Sequence, residues 1–375
     1  MSQPYRSWVE VSRARIAENY RAVKAAVGES VEVMPVVKAD AYRHGAVEVS
    51  RVLESEGVRW LAVSNVEEGV TLREAGIMAR IMVMADFLPF ERKALIEFNL
   101  TPAIHDIEDI AAFDKLAREA GVSASYHLKL DSGMGRLGSR ADPEMIAQAV
   151  RMAQNAKLEG LMTHFASAAD YNSPQTDRQQ ERFTQLTGDL AALGIRPQFL
   201  HLSSTIAAAY GREAAWGNMV RPGHGIYGYV SPARGNAPRQ ILNVKPALSW
   251  KATILAVKDL PEGALVGYGG IFRTLRPTRI AILAVGYADG LPHRLSNRGK
   301  VIAGGKLAPI VGSVSMDVTT VDITGIPGLK VGDAVTLLGE EGGERLDAQQ
   351  IARTAGTISY SVLCGISARV KRIYV

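Results

Sequence analysis

Reactive or charged side chains recur directly behind short apolar runs. Lys38 follows Met-Pro-Val-Val, Asp131 and Arg136 follow the run ending at Leu130, and His164 follows the run 158–163. Ser203, Ser204 and Thr205 follow the run 198–202, and Arg221 follows 218–220. In a barrel of alternating strands and helices the chemistry gathers at the C-terminal strand ends, so these groups could together bind an anionic cofactor. A lysine behind apolar residues is partly desolvated, which lowers its pKa and frees the amine as a nucleophile or base, as in a Schiff-base lysine. The same residue could equally sit at the rim in a salt bridge, its stem packed on apolar surface. Barrels often hold phosphate in the loops after the seventh and eighth strands, where Ser204, Thr205 and the backbone around Gly223 stand.

The elements that must position these groups are legible in the hydrophobic pattern. Apolar residues Ile16, Tyr20 and Val23 recur at helical spacing over 12–26, and Gly28 stops them. Eight short apolar runs follow, at 33–37, 60–63, 81–84, 102–104, 126–130, 158–163, 198–202 and 218–220. Helical segments at 46–56, 66–75, 107–120, 143–153 and 175–193 lie between them. Strands alternating with helices predict a parallel sheet, and eight strands close it into a (β/α)8 TIM-type barrel. After Tyr229 the stretch SPARGNAPRQ reads as a linker, followed by β-like runs with one helical stretch near 347–354. The expected division is an α/β barrel over 1–230, a linker over 231–240 and a mostly-β domain over 241–375.

Composition narrows the function classes. With 43 basic and 38 acidic residues the chain carries +5, but the basic residues are scattered, which argues against a nucleic-acid surface. A single cysteine, Cys364, excludes an intramolecular disulfide and a cysteine-based zinc cluster. It is read as buried packing in an apolar C-terminal strand. The other histidines, His44, His105, His127, His201 and His293, show no metal-ligand spacing, so no metal is expected. No apolar stretch reaches the ~18 residues a membrane span needs, and the start lacks an apolar leader segment, so a cytoplasmic protein is expected. Gly133, Gly135 and Gly138 spell GxGxxG after a strand, but a dinucleotide fingerprint should open straight into a helix. Here the next helix is expected only at Pro143, with Asp142 as its N-cap.

Eight segments in order over nearly the whole chain resemble bacterial alanine racemases, enzymes that use pyridoxal 5′-phosphate (PLP). They are VVKADAYRHG, HLKLDSGMGRLG, MTHFASAAD, VRPGHGIYG, VGYGG, VGYADG, GSVSMDVTTVD and TISYSVLCGISARVKRIY. The resemblance implies that Lys38 carries PLP covalently and acts as one of two bases, with Tyr268 as the other. Inverting a tetrahedral carbon requires removing a proton on one face and returning one on the opposite face, which one fixed group does poorly. By the same resemblance His164 and, less directly, Arg136 and Arg221 favour the phenolate. Arg221 faces the pyridine nitrogen, and Tyr42, Ser204, Thr205, Gly223, His224 and Tyr360 bind the phosphate. Arg136 and the backbone at Met316, beside Asp317, recognise the substrate carboxylate. Lys129 matches a position often carbamylated in the family. A homodimer is implied, with Tyr268, Tyr287, Met316 and Asp317 supplied by the other subunit, and Tyr287 and Tyr360 narrowing the entrance to suit a small amino acid.

The family's lysine motif reads VVKANAYGHG, so Asp40 and Arg43 each add a charge. Ser204-Thr205 replaces the usual Asn-Ser, and His224 stands where an aliphatic residue is common. The activity implied is interconversion of L- and D-alanine, supplying D-alanine for peptidoglycan. A racemase for serine or a broader set of amino acids, and a non-catalytic PLP-binding protein, are the alternatives. A related decarboxylase family would carry a GPxCDS-type motif where this chain has SVLCGIS.

Overall fold

The structure, a computed structural model, describes residues 5–85 and 87–375. The chain divides into two compact units, one of residues 15–41 and 46–245, the other of residues up to 14, 42–45 and 246–375. The first strand, β1 (Ser7–Val11), belongs to the second unit.

The first unit is a parallel barrel of β2 (Glu32–Val33), β3 (Trp60–Val63), β4 (Arg80–Val83), β5 (Leu100–Ile104), β6 (Ala124–Lys129), β7 (Ala156–Met162), β8 (Phe199–His201) and β9 (Met219–Val220). Strands β3 to β8 follow one another in a single sheet, each pair parallel. Strand β9 pairs in parallel with β2, and bridges between Val36 and Ala62 and between Ser204 and Arg221 join this pair to both ends of the sheet. Closure leaves no strand edge unpaired. Each of the eight strands overlaps its expected apolar run, β2 only at Val33. That pattern arises because a strand covered on both faces is apolar throughout: every residue of Trp-Leu-Ala-Val in β3 is buried.

The helices stand where the sequence places them. They span Arg13–Val27, Ala46–Ser55, Val66–Glu74, Ile107–Glu119, Pro143–Met152 and Gln175–Ala192, with a further one at Arg92–Glu97. Asp142 is the N-cap residue before Pro143. The glycine-rich segment 133–138 opens into no helix, and all three fingerprint glycines have positive φ.

Strand β10 (Leu248–Leu260) is the spine of the second unit. It pairs antiparallel with β1, with Thr278–Leu283 and with Ala334–Glu341, and irregularities in its register let thirteen residues serve all three partners. Its Trp250 is fully buried and donates from Nε1 to Ser7 Oγ at 2.8 Å. Burying an aromatic of this size stabilises the sheet by roughly 1.5–3 kcal/mol.

Three features depart from the sequence expectation. Residues 5–14, expected with the barrel, pair with β10 and with Lys371–Tyr374. The barrel unit continues to Lys245, and 231–247 holds no helix or strand. Cys364, expected in a buried strand, lies half-exposed in the helix Ser359–Gly365. Val362 and Leu363 are buried there while Cys364 is not, so the apolar run is one stripe of a helix. Among the described residues no helix is long and apolar enough to cross a membrane, and no His, Cys, Asp and Glu cluster fits a metal ion.

Candidate active site

The barrel unit gathers cations at the C-terminal ends of its strands. Lys129 closes β6 and is buried; desolvation and then the charges of Arg136, Arg221 and Lys38 lower its pKa to about 8, against the opposing pull of Asp131. His164, just beyond β7, is pressed to about 3 by burial and then by Arg221, Lys129, Arg136 and Lys38. Lys38, Lys129, Arg136, His164 and Arg221 thus share one electrostatic site. A site of this sign and burial attracts a multiply charged anion.

Arg221 is its centre. It is 2% exposed, and burial lowers its pKa to about 10, which leaves it charged at neutral pH. From Nη2 it donates to the Thr163 carbonyl at 2.7 Å and the Leu202 carbonyl at 3.2 Å, and that nitrogen stands 3.3 Å from His164 Nδ1. Its Nη1 donates to His201 Nδ1 at 2.8 Å.

Arg136 is presented by a loop wound on one carboxylate. Asp131 Oδ1 accepts the backbone N–H groups of Gly133, Met134 and Gly135 at 3.0, 2.9 and 3.0 Å, while Oδ2 pairs with Arg140. Burial pushes the Asp131 pKa up, but the Gly135 N–H, Arg140 and the Gly133 N–H together hold it down at about 2.

Beyond β8, Thr205 Oγ1 accepts from the N–H of Gly223 at 3.2 Å and of Gly225 at 3.1 Å, which turns the hydroxyl proton away from both. A Cβ at Gly225 would lie 2.9 Å from Thr205 Cγ2, so the close approach needs glycine. His224 is buried and stacks on Tyr229 with centroids 5.0 Å apart.

Lys38 opens an unusual turn. Ala39, Asp40, Ala41, Tyr42 and Arg43 all have φ between 52° and 66°, one turn of left-handed helix without a glycine. Left-handed helix costs L-residues about 1–2 kcal/mol each, so something must hold it. Glu68 does so in part, accepting from the N–H of Ala39 at 2.6 Å and of Ser64 at 2.8 Å. Asp40 Oδ1 accepts from Ala46 N–H at 2.8 Å, the first residue of the helix Ala46–Ser55. The acidic departure at position 40 thus places negative charge where a helix N-terminus favours it.

The second unit holds the remaining predicted residues. The Tyr42 and Tyr360 rings lie 5.9 Å apart. Tyr268 projects from a 3₁₀ turn, Tyr268–Gly270, and is 78% exposed; Met316 is 53% and Tyr287 45% exposed. The segments carrying Tyr287 and Met316 are locked together: Tyr287 N–H donates to the Ser315 carbonyl at 2.9 Å and Ala288 N–H to the Met316 carbonyl at 3.0 Å. Asp317 is gripped by Arg369 at 2.7 Å, which also pairs with buried Asp289 at 2.9 Å. The result is a firmly built face on which large side chains point into solvent.

With this geometry in view, comparison with known proteins is decisive. Residues 11–232 match the family model for the alanine racemase N-terminal domain and residues 247–374 that for the C-terminal domain. The chain belongs to the alanine racemase family. An alanine racemase from Halothermothrix orenii is 40% identical over 369 residues, 98% of this chain and 96% of the relative. The solved alanine racemase of Clostridium difficile 630 superposes with a TM-score of 0.93 at 32% identity, covering 99% of this chain and 96% of that one. That of Bartonella henselae, described with covalently bound pyridoxal phosphate, has a TM-score of 0.87 at 25% identity over 99% of this chain and all of its own. The barrel and mostly-β architecture is thus that of an enzyme family, and the chain is an enzyme of it.

Sequence inspection overlooked the supporting shell. Glu68 lies on a helix with nothing to mark it. His127 and His201 show no metal-ligand spacing, yet His201 binds Arg221 directly. One signal was available: His127 is two residues before Lys129 on β6, hence on the same face of the strand.

Proposed function

We propose that this chain interconverts L- and D-alanine with PLP, using Lys38 and Tyr268 as bases on opposite faces of the bound substrate. The observation that carries this is the convergence of Lys38, Arg136 and Arg221 around a neutral His164. Two anionic demands, a phosphate dianion and a substrate carboxylate, suit that surplus of cations. The donor set fits PLP: a half-buried lysine for the covalent link, and the outward hydroxyl proton of Thr205 beside Ser204, Gly223 and His224 for the phosphate. Tyr42 and Tyr360 are assigned to the phosphate as well. When bound, PLP supplies the electron withdrawal that makes the substrate Cα proton removable.

Lys38 Nζ holds or gives the proton on one face. Tyr268 Oη, from a second copy of the chain, serves the other. At 78% exposure in the single chain, its ring is open to a surface supplied by the other copy. Arg221 can only donate, so it fixes the His164 proton on Nε2, leaving an N–H able to stabilise a phenolate. Arg221, whose guanidinium can only donate, would hold the pyridine nitrogen of PLP and keep it unprotonated, which would temper the electron withdrawal the cofactor supplies. Arg136 and the Met316 backbone, beside Asp317, orient the carboxylate, and Tyr287 with Tyr360 restricts the side chain to a methyl. Lys129, with its lowered pKa, is assigned a carbamate, which would turn a cation beside Arg136 into an anion. The homodimer is the working unit, its product is D-alanine for peptidoglycan, and its place is the cytoplasm.

The test is conversion of each alanine enantiomer by purified, PLP-loaded protein. Turnover in both directions to an equal mixture is expected; none would end this assignment. Faster turnover of serine than of alanine would favour the broader racemase.

A further inference from the structure

The direction of donation set by Arg221 extends beyond its immediate contacts. On its Nη1 side lies His201 Nδ1 at 2.8 Å, and His201 Nε2 is 2.7 Å from His127 Nδ1. His127 Nε2 in turn faces Glu159 Oε2 at 3.8 Å, and Glu159 holds Arg80 through two bonds of 2.5 and 2.6 Å. Arg80 lies over the Trp60 ring, 3.9 Å from its centroid. Both histidines are fully buried.

Donor and acceptor arithmetic leaves one arrangement. A guanidinium has no lone pair to offer, so His201 Nδ1 accepts and its proton sits on Nε2. That proton is donated to His127 Nδ1, so the His127 proton also sits on Nε2, 3.8 Å from Glu159 Oε2, where the carboxylate acts on it by charge and not through a hydrogen bond. Burial depresses both imidazoles, most strongly His201, so neither carries a second proton at neutral pH. Glu159 stays ionised, held at about 2 despite its burial by His127 and Arg80.

The packing is built around this line. Gly160 is opposite His127 in the β6–β7 register, and a Cβ there would stand 2.3 Å from His127 Nδ1. Phe199 stacks on the His127 ring at 5.9 Å and Trp60 meets it edge-on at 5.5 Å. Among the described residues, the charged side chains that act on the two imidazoles are Arg221 at one end and the Glu159–Arg80 pair at the other.

We propose that His127 and His201 form a one-directional hydrogen-bond relay through the barrel that fixes the orientation of Arg221, with the Glu159 carboxylate 3.8 Å beyond His127 as its electrostatic anchor, making all three positioning residues for the reaction. Nη1 and Nη2 of Arg221 are then committed to His201, His164 and two backbone carbonyls, and Nε is the donor left for a ligand. This rests on Arg221 meeting the cofactor ring, as proposed above. Outer-shell partners of this kind typically matter on the order of 10-fold.

Imidazole ¹⁵N correlation spectra of the PLP-loaded enzyme test the relay directly. Both His127 and His201 should be neutral with the proton on Nε2 from pH 6 to 9; an Nδ1–H tautomer at either, or a charged His127, overturns it. The same spectra taken without PLP should show the same tautomers, so a failure of PLP binding is distinguishable from a failure of the relay. In Glu159→Gln, kcat should fall on the order of 10-fold with KM little changed, and the absorption band of bound PLP should move. A lower melting temperature with an unmoved band and unmoved kcat would reduce Glu159 to a structural ion pair and overturn its positioning role.

Discussion

Asp131 and Arg140 form a two-point ion pair, with Arg140 Nε and Nη2 at 2.7 and 2.6 Å from the same carboxylate oxygen. The other oxygen collects three backbone N–H groups, so this one carboxylate shapes the loop that carries Arg136. Replacing Asp131 by Asn keeps the shape and removes the charge. We expect Asp131→Asn to cost about 1–3 kcal/mol in denaturant unfolding. Its KM for alanine should rise on the order of 10-fold with PLP binding intact, because a loosened loop misplaces the carboxylate-binding arginine. An unchanged KM would detach the loop from substrate recognition.

Asp40 offers a test of the left-handed turn. Its bond to Ala46 N–H joins the turn to the helix that follows. Asp40→Asn keeps an acceptor and should lose only about 0.3–1 kcal/mol. Asp40→Ala removes the cap and should lose about 1–2 kcal/mol. Equal losses, measured by urea unfolding, would show that the side-chain acceptor does not support the turn.

Most of the fold was legible because its signals are local. Each barrel strand is a short apolar run, and each helix after it has its own stripe and stop. Strand β1 escaped because Ser-Trp-Val-Glu-Val says nothing of which sheet it joins; its partner Ser7↔Ala252 is far along the chain. Cys364 was misplaced because a seven-residue helix has too few turns to separate its stripe from a strand. Motifs named the mouth residues, but Glu68, His201 and Glu159 act through backbone N–H groups or other side chains, and only coordinates bring those together.

Buried histidines predict acid sensitivity. The folded-state pKa of His105 lies at about 4 and that of His164 at about 3, both below the ordinary value of 6.5. Unfolded chain binds protons there more readily, so the stability these groups contribute is complete above pH 6.5. It is lost as pH falls from 6.5 toward 4 and then 3. His105 Nε2 bonds the Ala85 carbonyl at 3.2 Å, a bond a glutamine amide can replace. Melting curves should therefore fall less steeply over this interval in His105→Gln than in the parent. Parallel curves would mean that His105 is not held neutral by the fold.

Gly286 sits where the Tyr287 and Met316 segments touch, and a Cβ there would lie 2.3 Å from the carbonyl oxygens of both Ser315 and Met316. Gly286→Ala must displace one segment from the other. PLP uptake, which on the proposed assignment rests mainly on Lys38, Arg221 and the Thr205 loop, should be retained while kcat/KM falls on the order of 10-fold or more. Unchanged kinetics would separate this face from the reaction.

Mixing two inactive variants probes the two-base, two-subunit claim. Lys38→Ala and Tyr268→Phe are each expected to be inactive alone. After unfolding and refolding together, about half of the dimers contain one chain of each kind, and one of their two sites regains both bases, as symmetry requires. Racemisation should then return to about a quarter of the parent rate per site. No recovery from a mixture shown to contain mixed dimers would contradict the account, placing both bases on one chain or removing one of them from the chemistry.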